Sequence, residues 1–360
     1  MTTRSSAIAS SRPAVGWTGR TRGRPILLAV VASMALVVVL CVGVAVGSVA
    51  IAPLDTLAIV TDRLFGLDLG RTWSSAAETI VWDLRVPRVL TSMVVGTALA
   101  VAGATLQGLL RNPLADPYVL GTASGAALGA AIAVLLPIRA MVLGFGLLHV
   151  LAFLGALASI FTVYRLSRIG GFAPLTSLLL TGYAVGSLLA AGLAMAMYLS
   201  GAALRQIFSY LLGGFDTASW AQLAGTAPLV AVGTGLILLR ARSLNGLLLG
   251  EEAAAHLGID VRRARAILLA LASLVTAAAV AVSGLIGFVG LVVPHVVRLI
   301  VGPGARLVLP LSALGGAVLL AAADIVARTA GEIPVGIVTA LIGAPFFIML
   351  LRRSRTGYEL

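Results

Sequence analysis

Charged residues vanish from this chain for long stretches, and the stretches recur at one characteristic length. Residues 25–54, 89–110, 117–138, 140–164, 169–204, 217–239, 266–297, 307–323 and 333–351 contain no Asp, Glu, Lys or Arg. A helix crossing a bilayer needs about 20 mostly apolar residues, and most of these runs supply one crossing each. The 266–297 run is too long for one crossing and breaks at Ser283-Gly284. The pattern therefore predicts ten helices, near 26–50, 88–110, 118–137, 142–164, 173–199, 221–240, 264–283, 285–301, 308–327 and 334–351. The first run follows several arginines, as a signal sequence does, but it exceeds the ~7–15 apolar residues of a signal core and reads as a span. Three connecting pieces stand out: 51–87, 200–220 and 241–265. Within the second, Leu204–Leu212 has the spacing of a short amphipathic helix on the membrane surface.

Composition agrees with an all-α polytopic membrane protein. Of 360 residues, 60% are hydrophobic and 11% charged, against roughly 25% charged in a soluble domain. All 25 basic residues are arginine. Without lysine there is no P-loop lysine and no Schiff-base chemistry, so an ATP-driven process needs its nucleotide bound by another chain. The single cysteine, Cys41, and three scattered histidines show no metal-ligand spacing, so no metal site, catalytic set or resident cofactor is expected.

Ten crossings place both termini on one side. Seven arginines (Arg63, Arg71, Arg85, Arg88, Arg139, Arg205 and Arg328) fall on the other side, and the remaining eighteen accompany the termini. The basic side is cytoplasmic by the positive-inside rule. Residues 1–24 and 354–360 are then cytoplasmic tails, the first disordered by composition, and 25–353 form the ten-helix domain. Glycines at 121, 125 and 129, and again at 182 and 186, are spaced for close helix contact.

Several segments carry more than hydropathy. Residues 85–88 read RVPR, and Pro87 is expected at a helix start, where its missing N–H is harmless. Residues 111–117, RNPLADP, form a turn fixed by two prolines. In 241–265, Gly250, Glu251 and Glu252 open a short helix with acids at its positive end. Ala254, His256 and Leu257 continue it, Gly258 stops it, and a second helix starts at Ile259-Asp260. Such a pair is either a rigid knob for a partner protein or an ordinary solvated loop.

The stretches 85–120, 284–306 (GLIGFVGLVVPHVVRLIVGPGAR) and 320–345 (LAAADIVARTAGEIPVGIVTALIGAP), with GEEAAAHLGI between them, resemble the FecCD family. These are permease subunits of bacterial type II ABC importers for iron–siderophore complexes, haem and cobalamin. The resemblance runs from about residue 26 to 353. It implies a dimer of permease subunits (two copies or two related chains), two ATPase subunits that bind ATP and Mg, and an extracytoplasmic substrate-binding protein. It implies residence in the bacterial inner membrane and no nucleic-acid partner. Gly250 to Ile259 resembles the segment that seats in the ATPase, which selects the knob over the loop. Arg85, Arg88 and Arg328 match arginines that pair with acids of the binding protein; on their own, the first two also suit interfacial anchors and Arg328 suits a partner of Asp324 one turn earlier. Gln107 and Asn112, at the inner end of the second helix, are candidates for the translocation pathway. The implied function is ferric-siderophore import by alternating access, with haem or cobalamin as alternative cargo. An ion-coupled secondary transporter is the alternative from another class. It needs ionisable groups near mid-membrane, where only Asp324 qualifies, toward the outer end of its helix. His295, beside Pro294, reads as a packing residue.

Overall fold

The computed structural model describes residues 23–66, 73–138, 140–142, 144–168 and 174–355. The expected tails, apart from residues 23–24 and 354–355, and two of the counted outer arginines, Arg71 and Arg139, lie outside the described residues. The helices are α1 Gly23–Ala45, α2 Pro53–Phe65, α3 Ser75–Leu109, α4 Thr122–Leu135, α5 Leu147–Leu166, α6 Leu175–Leu199, α7 Leu204–Leu212, α8 Trp220–Leu239, α9 Ala241–Leu248, α10 Glu251–His256, α11 Val261–Ser283, α12 Val289–Val301, α13 Ala305–Thr329 and α14 Val335–Arg355. Among the described residues seven helices are long and apolar enough to cross a membrane (α1, α3, α5, α6, α8, α11 and α13), and three shorter apolar helices, α4, α12 and α14, complete the ten.

α3 is the pillar of the bundle. Nearly every residue from Val86 to Leu109 is buried, and α13, α11, α12 and α8 pack around it. Glycine makes the closest approaches possible. A Cβ on Gly96 would sit 2.2 Å from the carbonyl oxygen of Gly316 on α13, and one on Gly103 would sit 1.9 Å from that of Gly290 on α12. In lipid, van der Waals contact of this kind is the main attraction between helices. The expected glycine pattern on α4 also makes contacts: Gly125 and Gly129 face Gly155 and Leu151 on α5.

Two crossings are not helical throughout. At ~1.5 Å per residue, α4 and α12 each span about 20 Å, short of the ~30 Å hydrocarbon core. Residues 117–121, a 3-10 turn ending at Gly121, and 284–288 extend those two helices as chain that is not α-helical. Backbone at that depth has no water to bond and must be satisfied by protein. Tyr118 joins the two segments: its hydroxyl donates to the Ile286 carbonyl at 3.0 Å and accepts from the Ile286 N–H at 3.2 Å. Tyr210 on α7 adds a second tie, accepting the Leu285 N–H at its carbonyl (3.3 Å) and donating its hydroxyl to Val280 (2.9 Å). The α7 helix has the expected limits, with Ile207 buried against Ala131 and Ala196.

Pro87 stands where expected, at the second residue of the regular α-helical part of α3, Val86–Leu109, and a further helical stretch from Ser75 leads into it. The chain accommodates it with π-helical turns over Thr79–Arg85, where the Val86 N–H reaches the Val81 carbonyl. The next donor in that register would be Pro87, which has no N–H. The carbonyl of Trp82 is taken instead by the indole N–H of Trp220, at 2.9 Å, with the two rings 5.0 Å apart.

Placing leucine at Gly103 is expected to force α12 off α3 and cost about 1–3 kcal/mol, as overpacking does. Leucine at Gly235, where a Cβ meets nothing within 4 Å, is the matched control. Thermal unfolding in detergent should separate the two variants; equal midpoints would contradict the packing assignment.

Candidate functional site

Three polar constellations lie at the ends and along the axis of α3. The outer one gathers Arg85, Arg88, Asp216, Asp324, Arg328 and Glu332. α1 carries no basic residue in its own last turn, so its final carbonyls lack a local cation. Two arginines from other helices reach them. Arg85 donates to Val44 (3.2 Å), Ala45 (2.9 Å) and Val49. Arg328 donates to Gly43 (3.0 Å) and Val46 (3.3 Å) and pairs through Nε with Asp324, 3.1 Å away. The π-helical turns set the register in which Arg85 points at α1, and Gly47 leaves room for its guanidinium: a Cβ there would lie 2.6 Å from Nη2.

Two of the three arginines matched to docking turn inward in this conformation. Arg85 and Arg328 are 4% and 5% exposed, and their guanidinium groups face the interior. Their pairing with main-chain carbonyls prevents them from presenting a cation outward in this conformation. The reading of Arg328 as the partner of Asp324 is the one the geometry bears out. Arg88 differs. Its Nε meets Asp324 at 2.9 Å, and its Nη1 meets both Asp216 and Glu332 at 3.2 Å. Asp324 is fully buried and serves two arginines at once. Removing either arginine would leave this buried carboxylate under-compensated, which is costly.

The second constellation clamps α12 to α3. Pro294 lies inside α12 and leaves the carbonyl of Gly290, four residues earlier, without its helical donor. Gln107 supplies one: its Nε2 donates to Gly290 at 3.0 Å and approaches Leu291 at 3.4 Å. Its Oε1 accepts from Arg298, one turn beyond the proline, and Arg298 also donates to the Ala104 carbonyl at 3.1 Å. Gln107 is 2% exposed. Expected beside a pathway, it is hydrogen-bonded in this conformation to the carbonyl that the proline frees. Asn112 is exposed at the inner turn, where its Oδ1 accepts the Leu114 N–H at 2.9 Å. His295 stands edge-on to Phe346, with ring centroids 6.1 Å apart, in keeping with a packing role.

The third is the inner knob. α9 and α10 meet at Gly250, which adopts φ +116, and Gly258 adopts φ +76. Ala254 is fully buried against the Gly246 and Ile259 region, and the Ile259 N–H bonds the Ala254 carbonyl at 3.0 Å. Asp260 caps α11 by accepting the Arg263 N–H at 3.0 Å, and Arg265 pairs with Glu251. Asn245 accepts the Ala305 N–H at 2.7 Å, tying the knob to the first turn of α13. Glu252, Ala255, His256, Leu257 and Gly258 are exposed, and Leu249 and Leu257 present apolar side chains to solvent. No group of three metal-ligating side chains occurs among the described residues.

Reading the sequence missed Tyr118, Trp220, Asp216 and Glu332. Only Trp220 had a signal, in Pro87, whose missing N–H leaves the Trp82 carbonyl to another donor.

A sequence model of the FecCD transport family matches residues 35–353. The cobalamin import system permease protein BtuC of Halobacterium salinarum is 48% identical over 301 residues, 83% of this chain and 79% of that protein. The hemin transport system permease protein HmuU of Yersinia pestis is 44% identical over 292 residues, 79% of this chain and 87% of that one. A solved structure described as an inward-facing conformation of a metal-chelate type ABC transporter superposes with a TM-score of 0.77 at 30% identity. The match covers 91% of this chain and 99% of that one. The chain belongs to the FecCD transport family, as a multi-pass permease subunit of an ABC importer.

Gln107→Leu is expected to destabilise the fold by about 1–3 kcal/mol, because it strands the Gly290 carbonyl and removes a partner of Arg298. Gln107→Glu restores the Arg298 contact but not the donor and should fall between the two. Melting curves that place Gln107→Leu level with the parent would contradict the clamp.

Proposed function

We propose that this FecCD-family chain is the gate of an inner-membrane importer for metal chelates. It forms half of a permease dimer, driven from the cytoplasm by two ATPase subunits and loaded from outside by a substrate-binding protein. The inner knob carries this reading. It is short and internally braced by Ala254, Ile259 and the Glu251–Arg265 pair, and it is joined to the bundle through Asn245 and α11. A push on Leu249, Leu257 and their neighbours is transmitted to α11 and α13 as rigid-body motion.

ATP and Mg belong to the partner ATPase in this scheme, and the chain contributes no residue to hydrolysis. Ferric siderophore, haem and cobalamin are the three cargoes of the class. The relatives named for cobalamin and for hemin support the two macrocycles, and nothing in the permease favours the siderophore expected from sequence. On the outer face, Arg88 is the cation placed to meet an acidic residue of the binding protein, since Arg85 and Arg328 are committed to α1. The basic side of the chain, carrying the knob and both termini, faces the cytoplasm.

Deleting Glu251–Leu257 should abolish co-purification of the ATPase while leaving the permease folded and membrane-inserted; retained association would remove the knob from its role. Cargo is resolved by uptake of labelled ferric siderophore, haem and cobalamin into a strain lacking this chain and into one complemented with it. The cargo whose uptake depends on the chain is the substrate, and dependence of none of the three would overturn the metal-chelate reading.

A further inference from the structure

The partners of Arg88 fall into two kinds. Asp324 is buried and shared with Arg328. Asp216 and Glu332 come from loops, and their side chains are 63% and 45% exposed, against 12% for Arg88 itself. Both approach the same atom, Nη1, from the solvent side at 3.2 Å. Asp216 lies between α7 and α8, and Glu332 in the turn between α13 and α14, so neither is held by helical hydrogen bonding. Glu332 also adopts φ +58, a left-handed conformation that disfavours a side-chain-bearing residue. Ion pairs this exposed are individually weak. The arrangement is one fixed counter-charge beneath the guanidinium and two displaceable ones above it.

We propose that Asp216 and Glu332 mask Arg88 in the free permease and are exchanged for a carboxylate of the docking protein. This rests on the reading of Arg88 as a docking contact and assigns its regulation. One incoming carboxylate keeps Arg88 paired together with Asp324, and the two displaced acids, already 63% and 45% exposed, return to solvent, so docking leaves no buried ion without a partner. It also opens the tie between α3 and the two outer loops. Docking would then loosen the outer ends of α8 and α14 at the moment cargo is delivered. While the mask is closed, the apparent affinity for the partner is lowered by the fraction of molecules in which Arg88 is free.

The test uses full-length permease copurified with its ATPase, with the double variant Asp216→Asn/Glu332→Gln, and Asp83→Asn as a control. Asp83 is an exposed outer carboxylate outside the Arg88 pairs. Arg88→Ala completes the set. The first readout is modification of Arg88 by phenylglyoxal, quantified by peptide mass spectrometry against exposed Arg242. The second is the Kd for the purified cognate substrate-binding protein. Unmasking should raise Arg88 modification and tighten binding by about two- to five-fold, as expected for loss of two weak pairs; Asp83→Asn should change neither. The gain in affinity should vanish when Arg88→Ala is combined with the double variant. Unchanged modification and affinity in the double variant, with Arg88→Ala still weakening binding, overturns the mask and keeps the docking contact. An Arg88→Ala permease that binds as well as the parent overturns the docking contact and the mask together. An equal gain from Asp83→Asn assigns the effect to net charge and also overturns the mask.

Discussion

Main-chain groups inside a bilayer must find partners within the protein, and this requirement shapes every polar feature described above. The bundle violates helical regularity in four places: the end of α1, the π-helical turns of α3, the chain before α4, and the break and proline of α11–α12. Each opens carbonyls or N–H groups in apolar surroundings, where an unsatisfied group costs several kcal/mol. Each is answered by a side chain from elsewhere in sequence. Arg85 and Arg328 serve α1, Trp220 serves α3, Ser159 serves Gly121 before α4, Tyr118 serves Ile286, and Gln107 serves α12. Polar residues are scarce in this chain, and much of that supply is spent on its own backbone.

The same economy explains what could be read from sequence and what could not. The ten helices were legible because charge-free runs of spanning length are a global signal, and α6, for example, ends at the expected Leu199. The knob was legible because Gly250, the paired glutamates, Gly258 and Asp260 are local signals that act on their own chain neighbours. The carbonyls met by Arg85, Arg328 and Gln107 were not legible, for the opposite reason. They lie 36 to 285 residues away, and no local pattern says that a carbonyl there lacks a donor. Pro87 was legible as the start of the regular α-helix; the π-helical lead-in from Thr79 was not, because the Trp220 indole that takes the Trp82 carbonyl lies 138 residues away.

Commitment of the polar residues also bears on the driving force. An ion-coupled carrier needs a titratable group that can exchange its ion near mid-membrane. Asp324 is held by Arg88 and Arg328 toward the outer end of α13, and Arg298 is held by Gln107 and Ala104. In the proposed scheme the bundle transmits force between a braced knob and an opposite face closed by ion pairs. Glycine contacts along α3 let neighbouring helices sit close, and packed contacts of this kind switch between discrete arrangements more readily than they deform.

The central claim, a passive gate worked by a separate ATP-hydrolysing chain, is tested most directly by reconstitution. Permease alone, and permease with its ATPase, are placed in liposomes with binding protein and labelled cargo outside and ATP inside. The account predicts uptake only when the ATPase and hydrolysable ATP are both present, with no uptake by the permease alone under an imposed proton or sodium gradient. Gradient-driven accumulation by the permease alone would contradict it.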